Sequence, residues 1–212
     1  MPVRSVSNRG GNIIGHFPSL KLGRMVEFES LIERDFVFLL DFEPDVAFFV
    51  EQPLTIEYEQ DGRRRHYTPD FHVVWKRQNI LVECKPEQLI HLPLNQAKSE
   101  VAREWCTARG WRFQLVTDNQ LRSGYRLENV KFLTQFARYQ IEPALKRRIH
   151  AFLAATARPV TVGEIMATLG AGNPSSLAIP IYHMAYHCEL IVSMDDAPIS
   201  LGSPIDVAGE CL

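Results

Sequence analysis

Apolar positions recur at helical spacing from Val26 to Asp41. Phe28, Leu31, Ile32, Phe36, Leu39 and Leu40 make one broad face, and Pro44 limits the helix. Three strand-like runs follow, Pro53–Glu59, His66–Trp75 and Asn79–Lys85. The first two are joined by a polar turn at Asp61-Gly62, the second pair by the stretch around Lys76–Gln78. Asn95 to Ala108 is helical in pattern and stops at Gly110. Trp111–Thr117 alternates as a further strand, and Leu127 to Tyr139 reads as a closing helix. Three antiparallel strands, a helical crossover and another strand predict an α/β fold, a mixed sheet flanked by helices.

The last seventy residues have a different rhythm. Pro143–Ala155 predicts one helix. Thr161 with Glu164 is a capping-box signature opening a short second helix that ends near Gly170. Asn173-Pro174 launches a third, to about His187. Leu190–Met194 and Ile199–Ile205, separated by Asp195-Asp196 and Pro198, form an expected hairpin. Three helices and a hairpin suggest a small winged-helix-like C-terminal domain. The expected organisation is an irregular arm over 1–24, a main domain over 25–140 and the small domain over 141–212.

Composition fits a globular protein: 46% hydrophobic and 23% charged residues leave no room for a disordered chain. No apolar run approaches the roughly 20 residues that span a bilayer, and the expectation is a cytoplasmic protein. The four cysteines have no CxxC spacing and read as thiols. Net charge is −2, but its distribution is uneven. From Ile149 onward Arg158 is the single basic residue against six acids, whereas Arg4, Arg9, Lys21 and Arg24 precede the first acid, Glu27. Contact with a polyanion is therefore expected at the front of the chain, helped by Arg63, Arg64 and Arg65 at a hairpin tip. The third C-terminal helix holds no lysine or arginine. That argues against its lying on phosphates and for protein docking through Leu177, Ile179, Ile181, Tyr182, Met184 or Tyr186.

The stretch with chemical content runs from Tyr67 to Pro86: Thr68-Pro69-Asp70-Phe71, then Val82-Glu83-Cys84-Lys85. On a strand, Glu83 and Lys85 share a face and Cys84 points to the opposite layer. Asp70 sits on the neighbouring strand, so two carboxylates meet. Hard oxygen ligands suit Mg²⁺, which activates water and offsets charge on a phosphate. The backbone carbonyl of Cys84 is a further candidate ligand, and Lys85 can orient the attacking water. A Pro-Asp turn beside a surface ion pair is the alternative reading. A third acid comes from the preceding helix, where Glu29 and Glu33, one turn apart, stay tied on residue physics alone. The pair His183 and His187 lacks a third ligand and is set aside.

Ser30-Leu31-Ile32-Glu33, Glu51-Gln52-Pro53, Thr68-Pro69-Asp70-Phe71 and Val82-Glu83-Cys84-Lys85-Pro86 resemble, in order and spacing, the TnsA endonuclease subunit of heteromeric cut-and-paste transposases, a PD-(D/E)xK nuclease. The resemblance covers roughly residues 20–118. It implies a restriction-endonuclease-like fold and an active site of Glu33, Asp70, Glu83 and Lys85. The implied cofactor is Mg²⁺, with Mn²⁺ able to substitute. The implied partners are double-stranded DNA at transposon ends, a DDE-type transposase and an AAA+ regulator. The family member known best has glutamine at the position of Glu83.

Overall fold

A computed structural model describes residues 13–156 and 158–207. It divides into two compact units, Met1–Ser123 and Gly124–Leu212.

The first unit opens with an antiparallel pair, β1 (Gly15–Pro18) and β2 (Met25–Phe28). The described part of the expected irregular arm is thus partly regular. Buried Asp41 orders its turn, accepting from Ser19 Oγ at 2.5 Å and from the N–H groups of Leu20 and Lys21 at 3.2 and 3.1 Å. A carboxylate beneath a turn satisfies donors that would otherwise be stranded on burial. Helix α1 (Leu31–Phe42) follows. Ser30 caps it, accepting from Glu33 N at 3.1 Å, and the helix buries Ile32, Val37 and Leu40.

Strand β3 (Val46–Glu51) comes next, a continuous apolar run that the sequence reading passed over. The ribbon β4 (Ile56–Gln60) and β5 (Arg63–Tyr67) stands apart as a two-stranded sheet. The expected single run His66–Trp75 is broken at Thr68-Pro69-Asp70, because Pro69 cannot donate to a ladder. After the break, β6 (Phe71–Trp75) and β7 (Gln78–Lys85) continue the main sheet. Helix α2 (Pro93–Thr107) crosses over to β8 (Arg112–Thr117), which lies parallel to β7. The sheet order is β3-β6-β7-β8, antiparallel but for the last pair. Short α3 (Asp118–Leu121) closes the unit.

The alternation of the strands divides the core. Phe49, Phe71, Val73, Ile80, Val82, Cys84 and Val116 face α1 in one cluster. Leu81, with Ile56 and Tyr67, faces Ala102 and Cys106 of α2 in the other. The result is a mixed α/β sheet flanked by helices, the restriction-endonuclease-like arrangement expected.

In the second unit α4 (Arg126–Thr134) is held by buried Asn129. Its amide donates to the carbonyls of Met194 and Ala197 at 2.9 and 2.8 Å. The helix expected to close the main domain therefore packs with the C-terminal elements, and the boundary lies near residue 123 rather than 140. Then come α5 (Pro143–Ala155), β9 (Val160–Thr161), α6 (Val162–Leu169), a 3-10 turn at Pro174–Leu177, α7 (Ala178–Tyr186), β10 (Leu190–Val192) and β11 (Pro204–Val207). The three strands pair antiparallel in the order β10-β11-β9. The capping box of α6 is present, with Thr161 Oγ accepting from Glu164 N and Glu164 accepting from Thr161 N at 2.8 Å.

Two expectations about this unit are corrected. The count of one base to six acids began inside α5 and left out Lys146, Arg147 and Arg148. From Gly124 onward the sequence holds seven basic and eight acidic residues, nearly balanced. Of the side chains offered for docking, Leu177, Ile181, Tyr182, Met184 and Tyr186 are buried and Ile179 is half-buried, so α7 is largely interior to the unit.

Candidate active site

The register of β6 and β7 assembles the centre. Phe71 pairs with Val82, so one step outward Asp70 stands opposite Glu83 where β6 begins. Asp70 Oδ2 accepts from Cys84 N at 2.7 Å, which fixes the carboxylate against the backbone of β7. The Cys84 side chain points into the cluster facing α1, as alternation requires. Glu83, only 4% exposed, has both oxygens engaged: Oε2 accepts from Tyr67 Oη at 2.7 Å, and Oε1 lies 2.8 Å from Lys85 Nζ.

Glu33 arrives from the first turn of α1. Its oxygens accept from Glu29 N at 2.8 Å and from Ser30 Oγ at 2.9 Å, so the N-terminal cap of the helix also orients this carboxylate. Arg34 pairs with buried Asp35, not with Glu33. Glu29 takes another role: its Oε1 accepts from Gln52 Nε2 at 3.1 Å. Gln52 holds a left-handed backbone, φ 44°, and donates its N–H to the Asp70 carbonyl at 2.8 Å. Its own Oε1 is buried without a partner among the described residues.

The electrostatics show one coupled cluster. Burial, then Glu83 and Glu33, push the Asp70 carboxyl well above the ordinary carboxylate range. Burial also raises Glu33. Burial lowers Lys85, but Glu83 and Asp70 outweigh it and keep the ammonium charged beyond its ordinary range. Burial raises the Cys84 thiol, with the Asp70 charge adding to it, and the same combination of burial and Glu83 raises the Tyr67 phenol. Three carboxylates against one ammonium leave excess negative charge in a poorly hydrated place, which is costly unless a cation shares it.

In chemistry and charge the donor set suits a hard divalent ion. As the side chains stand, each carboxylate is turned to a protein partner. Among the described residues no three acids, histidines or cysteines converge as a ready-made cage. Loading would need a Glu33 oxygen to leave its cap partners and Glu83 Oε1 to leave Lys85, while Tyr67 keeps Glu83 Oε2.

Elsewhere the basic residues divide. Arg4 and Arg9 lie outside the described residues. Lys21 donates to the carbonyls of Glu43 and of Val46, the latter at 2.6 Å. Arg24 forms a two-pronged pair with buried Glu51, 2.6 Å on each side. Both are engaged in holding the fold. Arg63, Arg64 and Arg65 are exposed on β5. In the second unit His183 Nδ1 lies 3.2 Å from the Phe136 carbonyl and His187 Nε2 lies 2.9 Å from that of Ala137, structural roles for both rings. Among the described residues no helix is long and apolar enough to cross a membrane.

The sequence reading missed Tyr67 and Gln52 as members of the site. A tyrosine at the buried end of a strand needs a partner for its hydroxyl, and that requirement was the available signal. For Gln52 nothing in the residue pattern signals a left-handed backbone.

No curated protein matches the chain. A family model does: residues 43–118 match the TnsA-like endonuclease N-terminal domain. The match runs from just before β3 to the start of α3 and includes Asp70, Glu83 and Lys85, while Glu33 lies ahead of it. The strands that bring these three side chains together thus lie in the segment similar to a TnsA-like endonuclease domain, about a third of the chain, and this match supports a nuclease of the TnsA type.

Proposed function

We propose that the protein is a Mg²⁺-dependent DNA endonuclease that cuts the 5′ ends of a transposon as one subunit of a heteromeric transposase, with Mn²⁺ able to replace Mg²⁺. The observation that carries this reading is the pairing of Asp70 with Glu83 at the meeting ends of β6 and β7, with Lys85 two residues on. Asp70, Glu83 and Glu33 are the side chains that would hold the ion, with the Cys84 carbonyl a fourth donor. Bound there, the ion would supply Lewis acidity and a more acidic water. Lys85 stays protonated, so it orients the attacking water and offsets charge at the phosphate rather than acting as a base. Tyr67 keeps one Glu83 oxygen in place, and Cys84 N–H does the same for Asp70.

The partners implied are duplex DNA at transposon ends, a DDE-type transposase cutting the other strand and an AAA+ regulator. The second unit supports a winged-helix-like role in holding one of those proteins. From α5 onward its order of helix, strand, two helices and two strands fits such a module, with α4 packed beside it. Helix α7 has no lysine or arginine to meet phosphates, and being buried it leaves docking to the unit's other elements. The test is cleavage of a duplex carrying the transposon end, with and without the neighbouring transposase and with Mg²⁺ or chelator. Cutting at the end only when both subunits are present is the expected result. Efficient cutting of unrelated DNA by the chain alone would favour a freestanding restriction or repair nuclease. No cutting under any condition, with assembly intact, would make it a scaffold.

A further inference from the structure

The β4–β5 ribbon has two faces, and its register decides what each displays. Asp61 and Gly62 form a two-residue turn with φ of 53° and 69°, a geometry that fixes pairing in a hairpin. Ile56 pairs with Tyr67, Tyr58 with Arg65 and Gln60 with Arg63, while Glu57 pairs with His66 and Glu59 with Arg64. Side chains alternate, so Arg63, Arg65 and Tyr67 share one face and Arg64 and His66 share the other. The second face balances its charge: Glu57 lies 3.8 Å from His66, and Glu59 stands across from Arg64. On the first face no acid stands opposite either arginine. Both are exposed, and among the described residues neither makes an ion pair or a side-chain hydrogen bond.

Tyr67 links that face to the reacting groups. Its hydroxyl donates to Glu83, and Lys98 of α2 lies over its ring, 5.8 Å from the centroid. One tyrosine thus aligns a carboxylate of the site with three cations. We propose that Lys98, Arg65 and Arg63 form a track for the backbone phosphates of duplex DNA leading away from the phosphodiester at Asp70 and Glu83, and that Arg64 takes no part. This deepens the nuclease reading and rests on it. From Tyr67 to Arg63 the strand spans about 14 Å at its usual rise. At 3.4 Å of helix axis per base pair that length covers about four base pairs. A guanidinium fork matches phosphate oxygens in pairs, which suits Arg63 and Arg65 to the outer positions.

The test is the salt dependence of binding by the full chain to a duplex oligonucleotide, followed by fluorescence anisotropy without added metal. Log affinity falls against log salt with a slope of about −0.9 for each phosphate neutralised. The Arg63→Gln/Arg65→Gln variant should therefore flatten the slope by about 1.8 and Lys98→Gln by about 0.9, while Arg64→Gln leaves it unchanged. Thermal melting equal to that of the unaltered protein shows that each variant is folded. Equal flattening by Arg64→Gln, or an unchanged slope in the double variant, overturns the track alone, provided that the unaltered protein binds the duplex and, together with the transposase subunit, cleaves a transposon-end duplex with Mg²⁺. An unaltered protein that does not bind the duplex, and does not cut a transposon-end duplex even with the transposase subunit and Mg²⁺, refutes the nuclease reading, and the track with it.

Discussion

Asp70→Asn should abolish cleavage and yet make the metal-free protein more stable. The reason is the direction in which the Asp70 carboxyl is displaced. Its ordinary value is 3.8, and burial with Glu83 and Glu33 raises it well above that. The folded state therefore binds a proton that the unfolded chain has already released, so stability falls as pH rises from about 3.8 through the elevated value. Above the elevated value the whole penalty is present, about 1.4 kcal/mol for each tenfold change in the proton equilibrium. Asparagine keeps an oxygen to accept from Cys84 N and carries no charge. Relief of such a buried charge is expected to raise stability by about 0.5–2 kcal/mol. In a chain of this length that is a melting shift of about 2–4 °C per kcal/mol. Mg²⁺ has the opposite signature. At 100 times its dissociation constant it should stabilise the unaltered protein by about 2.7 kcal/mol and the variant far less. Calorimetry between pH 4 and 8, with chelator or Mg²⁺, reads both effects. A folded variant that is less stable than the parent in chelator at neutral pH would refute the argument. So would Mg²⁺ stabilisation equal to the parent's.

Three further expectations follow from single contacts. Tyr67→Phe removes the hydroxyl that donates to Glu83, a bond to a charged group worth about 1.5–3 kcal/mol. It should lower urea stability by that order and weaken Mg²⁺ binding; unchanged values for both would show that the contact does not position Glu83. Glu33→Gln should depress cleavage far more than Glu29→Gln, since Glu33 feels the Lys85 charge while Glu29 is taken up by Gln52; the reverse order in a single-turnover assay would place the helix acid one turn earlier. Thr161→Ala removes the oxygen that accepts from Glu164 N, and thermal melting should report a loss of about 0.5–2 kcal/mol in the second unit with cleavage by the first unchanged.

Local chemistry made the centre of this protein legible. The alternation of Val82, Glu83, Cys84 and Lys85 settles which side chains share a face, because a strand has a period of two whatever surrounds it. The apolar rhythm of α1 and the capping pair Thr161 and Glu164 were readable for the same reason: their partners lie within one helical turn. What depended on distant residues was not readable. Nothing in Val46–Glu51 by itself says that a short apolar run is a strand, and only pairing with β6 decides it. Lys21 and Arg24 read as free cations until the fold brings Glu43, Val46 and Glu51 to them across more than twenty residues. The boundary near residue 123 depends on Asn129 reaching carbonyls some seventy positions on. The residues of α7 look like a docking face in one dimension and are a core in three. Periodicity reports that a side chain will be buried, but the covering surface is supplied by packing, and packing is a property of the whole chain.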